Sequence, residues 1–130
     1  MKYLCMVFLD EGKLTAMSKE ELQELDDVSL AFDESLRQGN HLLAAQALQG
    51  VATAVTIRRS GGKTVVTDGP FAETKEQIGG FILIEAGDMN EAIQLASSIP
   101  VGQLGPIEVR PIKELVASPA QQKKTTSSAG

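Results

Sequence analysis

Residues 68–81 read Asp68-Gly69-Pro70-Phe71-Ala72-Glu73-Thr74-Lys75-Glu76-Gln77-Ile78-Gly79-Gly80-Phe81, and the rest of the chain is laid out around this block. Asp68 can accept backbone N–H groups two or three residues on, Gly69 reaches conformations closed to other residues, and Pro70 fixes φ. Together they predict a stiff, sharp turn. Pro70 has no N–H, so the expected donors to the Asp68 carboxylate are the amides of Phe71 and Ala72. An apolar ring directly after the turn predicts that Phe71 is buried and pins the loop. Gly79-Gly80 removes two side chains where the next apolar run starts, the pattern of a bulge or a close backbone approach.

On the N-terminal side of the block, Thr53, Val55 and Ile57 alternate with Ala54, Thr56 and Arg58. Ser60-Gly61-Gly62 supplies a hairpin turn, and Lys63 to Thr67 returns as the partner strand. On the C-terminal side, Phe81 to Ile84 is apolar at every position, as a central strand would be. Tyr3 to Leu9 has the same character: Tyr3, Cys5, Val7 and Leu9 face one way, and Leu4, Met6 and Phe8 the other. Helices of this chain can cover one face of such strands. A second subunit, packed sheet against sheet, is the expected cover for the other.

Ser18-Lys19-Glu20-Glu21 is a capping box, and Leu22, Leu25, Val28, Phe32 and Leu36 recur at helical spacing. A helix of about 20 residues is predicted, with Gly39 as the left-handed residue just past its end. His41 to Gln49 reads as a weak strand or an irregular run. Asp88-Met89-Asn90-Glu91 repeats the capping arrangement before a short helix stopped by Pro100. Ile107, Val109 and Pro111 alternate with Glu108 and Arg110, as an edge strand would. The order matches two split βαβ halves around one antiparallel sheet, an α+β, ferredoxin-like fold with two helices on one face.

The block 68–81 resembles the signature of DGPF-domain proteins, a branch of the YCII-related family, and the likeness runs from Met1 to about Val116. That resemblance implies a ferredoxin-like homodimer with dimeric α/β-barrel-type packing. Some relatives of the wider YCII group are small enzymes that use a His and an Asp without any cofactor. In that group the functional His lies on the first helix, where this chain has none.

The chain carries 12 Lys and Arg against 17 Asp and Glu, a net charge of −5 with pI about 4.8. With no basic patch to neutralise phosphates, nucleic acid is not an expected partner. The single cysteine has no second thiol to pair with, and no Cys/His spacing suits zinc, which fits a reducing cytoplasm. Lys2 and the apolar run after it end in Asp10-Glu11 without a small-residue cleavage site, so neither a secretion signal nor a membrane span is expected. After Val116 the composition turns to Ala, Ser, Pro, Gln, Lys and Thr. The reading is one domain over 1–116 and a flexible polar tail over 117–130.

Asp68, held in a rigid loop, is the best candidate for a general base, and its plain alternative is to cap its own turn. His41 is the sole histidine, so any acid–base pair must ask whether it reaches Asp68. Lys75 and Arg58 could hold an anionic group and Phe71 could pack on a ligand. Gly61-Gly62 and Gly79-Gly80 lack the spacing of a dinucleotide loop, so no cofactor or metal is expected. The leading expectation is a small dimeric domain that binds a small ligand or serves a regulatory role. The alternative is a cofactor-free lyase or isomerase that moves a proton with Asp68, alone or paired with His41.

Overall fold

The computed structural model describes residues 1–121. The elements run β1 (Lys2–Leu9), α1 (Glu11–Thr15), α2 (Lys19–Gln38), β2 (Leu42–Ala47), β3 (Val55–Ser60), β4 (Lys63–Asp68), β5 (Gln77–Glu85), α3 (Met89–Ala96) and β6 (Ile107–Pro111), with single 3₁₀ turns at Val51–Thr53 and Pro100–Gln103. β2, β5, β1 and β6 form one antiparallel sheet in that order. This is the ferredoxin-like arrangement, with the β3–β4 hairpin as a separate two-stranded ribbon inserted between β2 and β5.

The alternation along β1 decides which face is inside. Tyr3, Cys5, Val7 and Leu9 are buried, joined by Ile82 and Ile84 of β5, and Leu36 of α2, Ala92 and Ala96 of α3, and Ile99 complete the core. The opposite face carries Leu4, Met6 and Phe8 beside Phe81 and Leu83, all half-buried, with Leu4 opposite Leu83 and Met6 opposite Phe81. Cys5 lies in the buried set, and burial pushes its thiol up to about 11. A thiol held neutral in this way is a packing group and not a nucleophile.

The long helix begins as its capping box requires. The Ser18 hydroxyl accepts from the Glu21 amide at 3.1 Å, and the Glu21 carboxylate accepts from the Ser18 amide at 2.9 Å. That bond from the Ser18 backbone holds the Glu21 carboxyl below the usual carboxylate range. At the other end the expectation for Gly39 is corrected. Gly39 has φ −83°, and the left-handed residue is Asn40 at φ 63°. Asn tolerates that region better than most side chains, so the turn is displaced by one residue.

His41 to Gln49, ambiguous by period, contributes an edge strand of the sheet. Gly61 (φ 56°) and Gly62 (φ 79°) both take positive φ in the hairpin turn, as a type I′ connection requires. Gly79 is the extra residue of a bulge: Val7 pairs with Gly80 and Phe8 with Ile78. A Cβ on Gly80 would lie 2.8 Å from the Gln46 carbonyl oxygen, so close backbone approach excludes a larger residue there, while one on Gly79 would run into the Leu9 side chain. α1 was not anticipated. Asp10 caps it by accepting from the Gly12 amide at 2.9 Å. Of the tail expected over 117–130, residues 122–130 lie outside the described residues.

Candidate functional site

The turn at 68–70 forms, but not by the bonds expected of it. Gly69 takes φ 100°, its amide donates to the Ala54 carbonyl at 2.7 Å, and its carbonyl accepts from the Thr56 hydroxyl at 2.8 Å. The Asp68 carboxylate is exposed at the end of β4 and makes no hydrogen bond or ion pair among the described residues. Phe71 is 79% exposed, so the ring does not pin the loop. Gln77 does: its Nε2 donates to the Ala72 carbonyl at 2.8 Å and the Thr74 carbonyl at 3.2 Å. Thr74 adds a bond from its hydroxyl to the Glu76 carbonyl at 2.8 Å.

Asp68→Ala therefore removes no cap. It is expected to change stability by no more than about 0.5 kcal/mol, as at other exposed positions. A denaturant midpoint that falls by more than this would restore the capping role.

Among the described residues no hydrogen bond joins Asp68 and His41. The His41 amide donates to the Leu36 carbonyl and the His41 carbonyl accepts from the Glu85 amide, each at 2.8 Å. Its Nδ1 lies 2.8 Å from the Glu85 carbonyl oxygen; a carbonyl can only accept, so Nδ1 carries the proton. The loop after Asp68 returns to the sheet at Gln77, the other end of β5. Eight strand steps separate the two ends, about 26 Å at the usual rise per residue. His41 is anchored at the Glu85 end of that strand, and Asp68 stands before the loop that rejoins it at the other.

The basic candidates are equally open. Lys75 is 82% exposed, with Nζ at 4.0 Å from Asp10 Oδ2, a contact in the weakest class of surface ion pairs. Arg58 is exposed on the ribbon, and its side chain makes no hydrogen bond or ion pair among the described residues.

What the sequence reading missed is a cleft of about 570 Å³ between α2 and the β2–β5 side of the sheet. Leu22, Leu25 and Phe32 of α2 form its roof, and Ala45, Ala47 and Gly80 its floor. The cause lies in side-chain size. Where β2 and β5 line the cleft under α2, Ala45, Ala47, Gly79 and Gly80 are too small to reach across to the helix. Of the twenty residues of α2 only Leu36 is fully buried, and Leu30 is 68% exposed. A smaller recess of about 250 Å³ shares Leu9, Leu14, Leu48 and Gly79 with the cleft and continues to Glu11 and Gln77. The residue that organises the 68–77 loop thus borders that recess.

Asp26, Ser29 and Asp33 are the polar groups that α2 contributes to the cleft wall. Asp33 is half-buried, and desolvation raises its carboxyl above the ordinary aspartate value, while the charge of Arg37 works against the shift. Among the described residues the Asp33 carboxylate has no hydrogen-bond or ion-pair partner. The described residues contain no group of three His, Cys, Asp or Glu side chains placed to hold a metal ion, and no helix long and apolar enough to cross a membrane.

Comparison with known proteins adds three findings. An uncharacterised protein of Rhizobium meliloti (strain 1021) is 36% identical over 114 residues, covering 86% of this chain and 92% of the relative. Among solved structures, 5-chloro-2-hydroxyhydroquinone dehydrochlorinase (TftG) from Burkholderia phenoliruptrix AC1100, in complex with 2,5-dihydroxybenzoquinone, superposes with a TM-score of 0.50 at 18% identity. The match covers 87% of this chain and 94% of TftG, and at that identity it is a likeness of fold. The model of the YCII-related domain matches residues 1–116, which hold the four-stranded sheet and α1, α2 and α3, and the chain belongs to the YCII-related family.

Proposed function

We propose that this YCII-related domain works as a homodimer that binds a small, mainly apolar molecule in the cleft between α2 and the sheet. The observation that carries the reading is the hollow itself, a space of about 570 Å³ floored by Ala and Gly under a helix that leaves apolar side chains half bare. Small-molecule sites of a few hundred Å³ with apolar walls and few polar groups are of this kind. The homodimer follows from the other side of the sheet, where Leu4, Met6, Phe8, Phe81 and Leu83 form one continuous apolar surface. Apolar surface of that extent calls for cover, and a second copy supplies it by packing sheet against sheet.

A second reading keeps the fold and adds chemistry. TftG, which shares the architecture, is named a dehydrochlorinase, and a carboxyl with raised proton affinity in an apolar cleft suits a general base. In that reading Asp33 takes the place first given to Asp68 and His41, and the enzyme is a cofactor-free lyase or isomerase.

Occupying the hollow from within tests the first reading. Ser29 faces the cleft from the middle of α2, so Ser29→Phe is expected to project a ring into it. The neutral fluorophore 1-aminoanthracene is expected to brighten on wild-type protein and to bind at least about tenfold more weakly to Ser29→Phe, a difference of about 1.4 kcal/mol. Equal binding to both, with both proteins melting alike, would place the dye elsewhere and overturn the cleft as the site.

A further inference from the structure

The walls of the cleft are one-sided in charge. Twenty-one residues line it, and its only ionisable side chains are the carboxylates of Asp26 and Asp33. β1, β2, β5 and the turn at Pro100–Gln103 contribute no Lys, Arg or His. The nearest cation along α2, the Arg37 guanidinium, is engaged by Glu34. Asp33 is thus a half-buried carboxylate that lines, with Phe32 and Leu30, a space large enough for an aromatic ring system; the charge of Arg37 acts on it, but among the described residues it has no hydrogen-bond or ion-pair partner.

A carboxylate so placed has lost part of its hydration without gaining a bond. Anything that enters beside it changes that balance. An anionic ligand would add a second negative charge in a poorly hydrated space. A neutral ligand would leave the carboxylate as it is. A ligand with an ammonium group would restore charge-assisted hydrogen bonds, which are roughly twice as strong as neutral ones.

We propose that the cleft selects a small apolar primary amine, its hydrocarbon part between α2 and the Ala and Gly floor and its ammonium group on the Asp33 carboxylate. The selection rests on the cleft reading above and extends it from shape to charge. It also separates this chain from a preference for acidic quinones or hydroquinones, whose anions would meet Asp26 and Asp33.

Three probes matched in shape test it: 1-naphthylmethylamine, 1-naphthalenemethanol and 1-naphthoate, titrated at neutral pH into wild type, Asp33→Asn and Ser29→Phe. In wild type the amine is expected to bind at least tenfold more tightly than the alcohol, with naphthoate weakest. In Asp33→Asn the amine and the alcohol are expected to bind within about twofold of each other, while the alcohol keeps its wild-type affinity. All three are expected to weaken on Ser29→Phe. Equal affinity for amine and alcohol in wild type, or a preference that survives Asp33→Asn, overturns the charge selection and leaves the cleft reading standing. Failure of all three to bind wild type, or binding that Ser29→Phe does not weaken, overturns both.

Discussion

Gly105→Ala is expected to cost the domain about 3 kcal/mol or more, the upper end of what forced overpacking does and sometimes beyond. The reason is a backbone contact. A Cβ on Gly105 would fall far inside the van der Waals contact distance of the Phe8 carbonyl oxygen, with the carbonyl carbon at 2.9 Å and the Leu9 Cα at 3.4 Å. Neither neighbour can swing away as a side chain would, because β1 is held on both sides, by β5 and by β6. The loop must move instead, and it is tied at this point by the bond from the Phe8 amide to the Pro106 carbonyl at 3.0 Å. For a domain of this size the melting temperature should drop by roughly 10 °C or more. Calorimetry that shows a shift of only a degree or two would mean that this loop yields more easily than its contacts suggest.

The second large effect belongs to the open face of the sheet. Leu83→Glu puts a charge between Leu4 and Ala44, at the centre of the surface on which the proposed dimer closes. Burying a leucine is worth about 1.5–3 kcal/mol, and in a two-fold interface the loss occurs twice, before any cost of burying the new carboxylate. A loss of about 4 kcal/mol weakens the dimer about a thousandfold. Light scattering at micromolar concentration is expected to report a dimer for wild type and a monomer for Leu83→Glu, with circular dichroism unchanged. A wild-type monomer, or a variant that stays dimeric, would remove the homodimer from the proposal.

Much of this architecture can be read from residues that act locally. The capping box at Ser18 and Glu21, the Asp88 cap, whose carboxylate accepts from the Glu91 amide at 2.8 Å, and the paired glycines of the hairpin turn depend on neighbours a few positions away. The double-sided apolar runs of β1 and β5 identify the central strands for the same reason, since period and hydrophobicity are properties of a short segment. α1 escaped because five residues that include Gly12 give no helical period to detect.

The site was less legible because it depends on what meets across the fold. Asp68, Phe71 and His41 attract notice by residue type, yet the first two are exposed and the third is tied to the far end of β5. Gln77 looks like one more polar loop residue until its amide is found bonding two carbonyls of the turn. The cleft has no motif at all. It exists because Ala45, Ala47 and Gly80 arrive under Leu22 and Leu25, from segments twenty to nearly sixty positions apart, and sequence spacing says nothing of that meeting. Asp33 drew no notice in the sequence, and its place on the hollow and its partial burial set it apart from the exposed Glu34.

The β3–β4 ribbon belongs to a different energetic unit from the rest. Among the described residues its strands pair only with one another, and Val55, Ile57, Val65 and Val66 are each more than half exposed, so the ribbon shares little of the core's cohesion. Two strands alone are marginal in water, and such an arm opens and recloses many times for each unfolding of the domain. Evolution can therefore lengthen, shorten or re-letter residues 55–68 at little cost to the folding free energy of the four-stranded sheet, a freedom denied to every other strand of the molecule.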